Sequence, residues 1–175
     1  SSGGVGTSLR SAGAVISQTA ESGQSGGAIL NSGDLRLAAS TVMASRAGDG
    51  ASSPSDYFSS DSGGDGGDGG GIYNAGTLRI ERCKILSNTT GSGGDGPCGG
   101  GGHGGEGGGI FSSGSLIVSE STLQQNMTGS GGRGICPPGI FASSSGAGGG
   151  LANAGIAIVD FSSVIANRTA AGIDN

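Results

Sequence analysis

The sequence has no tryptophan, 3% aromatic residues, a single histidine and only 12% charged residues. These shortages exclude several classes of protein. A globular α/β enzyme closes its core with more large side chains than are present here. The eight lysines and arginines are dispersed and outnumbered by thirteen acidic residues, for a net charge of −5. Nucleic acid, which is held by basic groups gathered on one face, is therefore not expected as a partner. No apolar run approaches the ~18 residues of a membrane-spanning helix, so no membrane insertion is expected. No signal peptide is evident, and the chain opens at Ser1 as a processed or excised segment would.

Glycine is what the chain has in excess, with 43 of 175 residues. That is about a quarter, against roughly 7% in ordinary proteins, and by itself it suggests low complexity. Hydrophobic residues nevertheless make up 33%, and they are clustered and β-branched. Such a chain suits a solenoid, whose thin interior is shared between stacked coils.

The repeats support this reading. Gly27-Ala28-Ile29-Leu30-Asn31-Ser32-Gly33 recurs as Gly70-Gly71-Ile72-Tyr73-Asn74-Ala75-Gly76, Gly108-Gly109-Ile110-Phe111-Ser112-Ser113-Gly114 and Gly149-Gly150-Leu151-Ala152-Asn153-Ala154-Gly155. The closing glycines are 43, 38 and 41 residues apart. Two residues after them come Leu35, Leu78, Leu116 and Ala157, and four after them Leu37, Ile80, Val118 and Val159. Seven after them come Ser40, Cys83, Ser121 and Ser162, nine after them Val42, Ile85, Leu123 and Val164, and twelve after them Ser45, Asn88, Asn126 and Asn167. Apolar residues two apart share one face of a strand. The steps from four to seven and from nine to twelve break that parity, so the chain turns a corner at each. Each coil is expected to have three or four strands of two to four residues. Helix fails on spacing and on the abundance of Gly, Ser and Thr.

The expected fold is thus all-β: a right-handed parallel β-helix of about five coils with long Gly-rich inserts. A single domain spans 1–175, in repeats of approximately 1–25, 26–68, 69–106, 107–147 and 148–175. Stacking makes a ladder of each inward position. Ile29–Ile72–Ile110–Leu151 and Leu37–Ile80–Val118–Val159 are two apolar ladders, and Asn31–Asn74–Asn153, interrupted by Ser112, is an amide ladder at a corner. The repeated glycines suit positive φ or close backbone approach there.

Gly26-Gly27-Ala28-Ile29 resembles the GGAI motif of polymorphic outer-membrane protein repeats. Ile85-Leu86-Ser87-Asn88, Leu123-Gln124-Gln125-Asn126 and Val164-Ile165-Ala166-Asn167 look like their FxxN motif with aliphatic residues replacing Phe. The resemblance implies a β-helical surface passenger used in adhesion. The departures are the missing Phe, Ser45 in place of Asn in the first repeat, and unusually long glycine inserts.

Those inserts, at 48–70, 91–108 and 129–149, exceed ordinary turns. Gly63-Gly64-Asp65-Gly66-Gly67-Asp68 and Gly101-Gly102-His103-Gly104-Gly105-Glu106 have a period of three. They read either as flexible loops or as extended three-fold polyglycine helices lying along the solenoid, with Asp, His and Glu facing out at every turn. Gly63–Asp68 also fits the start of a calcium-binding nonapeptide. The apolar residue that motif requires is replaced by Gly70, however, and tandem copies are missing. His103 lacks cysteines at zinc-ligand spacing. No cofactor or metal is expected.

Cys98 and Cys136 lie 22 residues beyond Gly76 and Gly114, so stacked coils would set them within disulfide range, as suits an oxidising compartment. Cys83 falls in the inward Ser ladder as a buried thiol. Asn88-Thr89-Thr90, Asn126-Met127-Thr128 and Asn167-Arg168-Thr169 are N-glycosylation sequons at one repeat position. The same asparagines could instead form an inward ladder, where no glycan fits.

Catalysis on polysaccharide needs carboxylates converging on an exposed face. Asp34, Arg36, Glu81, Arg82, Lys84 and Glu120 are scattered among coils, and His103 lacks a triad's frame. The expected function is non-enzymatic: an extracellular or cell-surface structural subunit that assembles with itself head to tail. An adhesin-type passenger binding glycan or a surface is the alternative, with ice binding and polysaccharide degradation behind it. Gly172-Ile173-Asp174-Asn175 repeats the opening of a coil, Gly71-Ile72-Tyr73-Asn74, and then stops. Val5 and Gly6 begin the missing remainder, with Gly6 nine residues before Val15 as Gly76 is nine before Ile85. One copy's end could therefore be completed by another's beginning.

Overall fold

The structure, a computed structural model, describes residues 15–16, 23–53, 62–96, 100–136 and 139–170. Among these residues the regular structure is all β, with no helix. The strands of the first three coils are β1 (Val15–Ile16), β2 (Ile29–Asn31), β3 (Asp34–Ala38), β4 (Thr41–Met43), β5 (Ile72–Asn74), β6 (Thr77–Glu81) and β7 (Lys84–Leu86). Then come β8 (Ile110–Ser112), β9 (Ser115–Ser119), β10 (Thr122–Gln124), β11 (Arg133–Cys136), β12 (Gly139–Ala142), β13 (Leu151–Asn153), β14 (Ile156–Asp160) and β15 (Ser163–Ile165).

Apart from the antiparallel hairpin β11–β12, the strands stack in parallel as three sheets, in the solenoid-like manner the repeats imply. Their orders are β13-β8-β5-β2, β14-β9-β6-β3 and β1-β4-β7-β10-β15. The registers are those of the repeats: Ile29 pairs with Ile72, Ile72 with Ile110, and Ile110 with Leu151. Leu37, Ile80, Val118 and Val159 form the second ladder. From β2 onward each coil contributes three strands to the stacked sheets, of three, five and three residues. The middle strand is longer than expected because its alternation of buried and exposed residues continues to Glu81.

The parity breaks are corners made by left-handed residues. Ala39, Arg82, Glu120 and Phe161 form one set and Ala44, Ser87, Gln125 and Ala166 the other, all with φ between 44° and 56°. A side chain in that region costs about 1–2 kcal/mol, so the conformation is imposed by the ladders on either side. The third corner uses Gly26, Gly69, Gly107 and Gly148, whose φ is 64–75°. The glycines that close the repeats act differently. A Cβ on Gly76, Gly114 or Gly155 would overlap the carbonyl of the equivalent glycine one coil earlier.

The interior is a single file of apolar rungs in which Ile72, Leu78, Ile80, Ile85, Ile110 and Val118 have no exposed surface. Polar rungs flank it at the corners. Asn31 Nδ2 donates to Asn74 Oδ1 at 2.7 Å, and Asn74 Nδ2 to Ser112 Oγ at 3.0 Å. In the Ser/Cys row, the N–H of Cys83 donates to Ser121 Oγ at 2.9 Å and that of Ser121 to Ser162 Oγ at 3.0 Å. Each hydroxyl or thiol also donates to the carbonyl two residues before it. These bonds satisfy the backbone where the strands turn away from one another.

The N-terminal register needs a correction. Val15 was expected on the rung of Val42 and Ile85, but Ile16 pairs with Val42 and Val15 with Thr41. Two adjacent β-branched residues make either register plausible by hydrophobicity, and a one-residue slip reverses the faces.

Candidate functional site

Two features stand apart from the stacked sheets: the glycine-rich inserts and the C-terminal edge. In the inserts, segments 47–53, 90–96 and 128–134 leave the sheets and segments 62–70, 100–108 and 142–149 return. They form an ordered lattice with a strict period of three. The N–H groups of Gly91 and Gly94 donate to Gly67 and Gly64 in a returning segment, and those of Gly93 and Gly96 to Ser130 and Arg133 in the next outgoing one. The N–H groups of Ser92 and Asp95 are taken by the Asp49 carboxylate at 2.7 Å and the Ser52 hydroxyl at 3.0 Å. The returning segment follows the same rule, with the N–H groups of His103 and Glu106 donating to the carboxylates of Asp65 and Asp68 at 2.7 and 2.8 Å.

This arrangement explains the composition. Two of every three positions face neighbouring backbone, and a Cβ on Gly67, Gly91, Gly94, Gly102 or Gly105 would overlap a carbonyl. Glycine is needed here for its missing side chain, since none of these five has φ in the left-handed region. The third position carries a side chain whose oxygen caps the equivalent N–H one coil later. The polyglycine reading is thus the better description, with one change. The segments run within their coils and not along the stack, because Asp49 meets Ser92 at the same 43-residue offset as the strands.

On the returning side the third-position side chains form two columns, Asp65–His103–Ser144 and Asp68–Glu106–Ala147. Between them lies an open groove of about 400 Å³ lined by Asp65, Asp68, His103, Glu106, Ser144 and Ser145. His103 Nδ1 is 2.8 Å from Ser144 Oγ. The Asp65 carboxylate serves the backbone of His103, so the three do not make a relay. Among the described residues, no three His, Cys, Asp or Glu side chains are grouped to hold a metal ion.

The C-terminal edge is different in kind. Along each ladder the rungs are covered until the last coil. Val118 is 0% exposed and Val159 43%, while Leu123 is 1% exposed and Val164 48%. Outward-facing Ile156, Ile158 and Phe161 are also exposed beside them. In the second coil the same rows are sealed, with Leu37 at 3% and Val42 at 1%. β13, β14 and β15 are the outermost strands of their sheets, and among the described residues no strand pairs with their outer edges. An edge of this kind is a template for another strand.

The chain matches no family model, no curated protein and no solved structure.

Several residues singled out in the sequence are placed by the geometry. Asn88 and Asn126 are wholly buried. Asn88 Nδ2 donates to Val42 O and Asn126 Oδ1, and Asn126 Nδ2 to Ile85 O and Asn167 Oδ1. A glycan at either nitrogen would displace two hydrogen bonds and part the stack, so both asparagines serve the ladder. Asn167 is half-buried at the edge and donates to Leu123 O. Cys83 is a buried free thiol in the Ser row. Cys98 lies outside the described residues, so its pairing with Cys136 is not defined. The neighbouring bridge Gly96↔Gly134 has the same 38-residue offset. Val5, Gly6, Gly172, Ile173, Asp174 and Asn175 also lie outside the described residues. The left-handed corners were missed because Ala, Arg, Ser, Glu, Gln and Phe carry no signal for positive φ.

Asp68 provides a test of the lattice. Burial of its carboxylate raises its pKa above the ordinary value; the N–H of Glu106 partly offsets this, and Asp65 adds to the rise. A raised folded-state pKa means that stability falls as pH climbs from the unfolded value through the folded one. Asp68→Asn keeps an oxygen for the Glu106 N–H and removes the charge. The variant is expected to melt above the parent at about pH 7, with the difference vanishing near about pH 3, where both forms are neutral. Thermal melts at the two pH values check this, and a variant destabilised at neutral pH would contradict it.

Proposed function

We propose that this protein is an extracellular or cell-surface structural subunit, a right-handed parallel β-solenoid of about five coils that adds head to tail into a filament. The supporting observation is the C-terminal edge, where three sheets and their apolar ladders run out uncovered while the interior rungs are sealed. A heterologous end-to-end contact propagates as a fibre when its rotation does not close a ring. The ordered glycine lattice fits a structural role, since it spends a long stretch of chain on rigid backbone packing. The sequence resemblance to surface-passenger repeats agrees with a location outside the cell.

Elongation of the purified chain, followed by light scattering and electron microscopy over a range of concentrations, tests the proposal. Sheet β1-β4-β7-β10-β15 gives each copy five rungs. Filaments should therefore show an axial rise of about 24 Å per subunit, from a strand spacing of ~4.8 Å. The double variant Val159→Asp, Val164→Asp should stay monomeric with little change in melting, because both side chains are already exposed in the single chain. A parent chain that remains monomeric at every concentration would refute the filament. It would favour the adhesin-type reading, in which the following coil of a longer surface protein covers this edge.

A further inference from the structure

We infer that the four Asp-Gly pairs of the inserts are latent sites of isoaspartate formation, closed in the folded stack and opened when the glycine lattice loosens. The pairs are Asp49-Gly50, Asp65-Gly66, Asp68-Gly69 and Asp95-Gly96, which are all the Asp-Gly pairs in the sequence. In each, the two residues grip one residue of the next coil by both of its backbone groups. The carboxylate of Asp49 accepts from the N–H of Ser92 at 2.7 Å, and the N–H of Gly50 donates to the carbonyl of Ser92 at 2.8 Å. Asp65-Gly66 holds His103 in this way, Asp68-Gly69 holds Glu106, and Asp95-Gly96 holds Arg133, with every bond between 2.7 and 2.8 Å. The grip belongs to the single chain and does not depend on filament formation.

In an unfolded chain such pairs are chemically weak points. The glycine nitrogen attacks Cγ of the aspartate before it and closes a five-membered imide. One carboxylate oxygen leaves as water, taking the N–H proton and a second proton from solvent. Water then opens the ring at either carbonyl, and opening at the α-carbonyl leaves the main chain running through Cγ. Glycine favours this closure because it has no Cβ to hinder the approach and turns freely. The lattice nevertheless requires glycine at these positions. A Cβ on Gly50, Gly66 or Gly96 would overlap a carbonyl, and Gly69 is left-handed with φ of 64°. The fold that imposes the labile pair also withholds both reacting groups. The nitrogen's proton is held by a carbonyl, and the carboxylate is held by an N–H in a charge-assisted bond. Ring closure has to break both bonds, so it waits for local opening of the insert. A completed conversion lengthens the main chain by one methylene and moves the carboxylate, so the gripped residue one coil later loses its acceptor.

Peptide mapping of isoaspartate in the full-length chain, aged for several weeks at neutral pH, tests the inference. In guanidinium chloride all four aspartates should convert. In the folded chain conversion at each should be at least about tenfold slower, a factor set by how rarely the lattice opens. Asp65→Asn gives a faster readout, because its amide keeps an oxygen for the His103 N–H and closes the same ring with loss of ammonia. That variant should deamidate readily in denaturant and scarcely at all when folded. Gly94→Ala, in which the lattice is loosened while the three sheets persist, should convert faster than the parent at Asp65 and Asp95. A folded chain that converts at the unfolded rate at any of the four sites overturns the inference. A chain that fails to convert in denaturant overturns it too, since the pairs would then not be latent sites. So does a Gly94→Ala protein whose amide exchange accelerates while its conversion stays at the parent rate.

Discussion

A chain carrying Ile80→Asp is expected to lose its cooperative folded state. Ile80 has no exposed surface and sits mid-ladder between Leu37 and Val118. Truncating a buried isoleucine costs about 2–5 kcal/mol in cavity and transfer terms. An unpaired buried carboxylate adds several more, or takes up a proton at a cost of its own. The total is on the order of the 5–15 kcal/mol that keeps an ordinary domain folded. A thin interior has no second layer to rearrange around the charge. Far-UV circular dichroism and urea titration check the outcome. The same change at Ile158, outward-facing and 55% exposed, should alter stability by no more than about 0.5 kcal/mol. An Ile80→Asp protein that melts like the parent would show that the ladder does not hold the stack.

The second large effect is expected in the glycine lattice. At Gly94 a methyl group would meet the carbonyls of Ala51 and Gly50. The N–H of Gly94 donates to Gly64 O, and its own carbonyl accepts from Gly102. Gly94→Ala must push these segments apart, giving up two or three backbone hydrogen bonds at about 1 kcal/mol each and adding overpacking of ~1–3 kcal/mol. Hydrogen exchange should accelerate at Gly64, Gly94 and Gly102, and proteases should cut the inserts while the three sheets persist. Gly33→Ala is the control, since nothing lies within 4 Å of the added carbon. If the two alanine variants exchange at the same rate, close packing is not the reason for the glycines.

Much of this architecture could be read from residue spacing. Apolar residues at two, four and nine places after each repeat glycine defined the inward rows, and the strand registers follow those rows without a slip from Ile29 to Val164. The signal is strong because one row must face inward in every coil, so each repeat restates the same constraint. At Val15-Ile16 two adjacent β-branched residues carried no alternation, and the inferred register was one residue out. The sequons were ambiguous for another reason. Asparagine suits both a buried amide ladder and an exposed glycan site, and only the burial of Asn88 and Asn126 separates the two.

The sequence alone determined the all-β solenoid-like stack, its rows and the three-residue period of its inserts, since these depend on periodicity and local conformational preference. Three-dimensional packing decided the rest. The left-handed corners at Arg82, Ser87, Glu120 and Gln125 run against the preferences of those residues, and are held by the ladders on each side. The inserts are held in order by carbonyls from other coils as well as their own, since the N–H groups of Gly91 and Gly93 donate to Gly67 and Ser130, partners that their own insert does not contain. The exposure of the C-terminal edge is likewise a property of the stack: Val159 and Val164 have the same inward character as Val118 and Leu123, and differ in that the described residues place no coil over them.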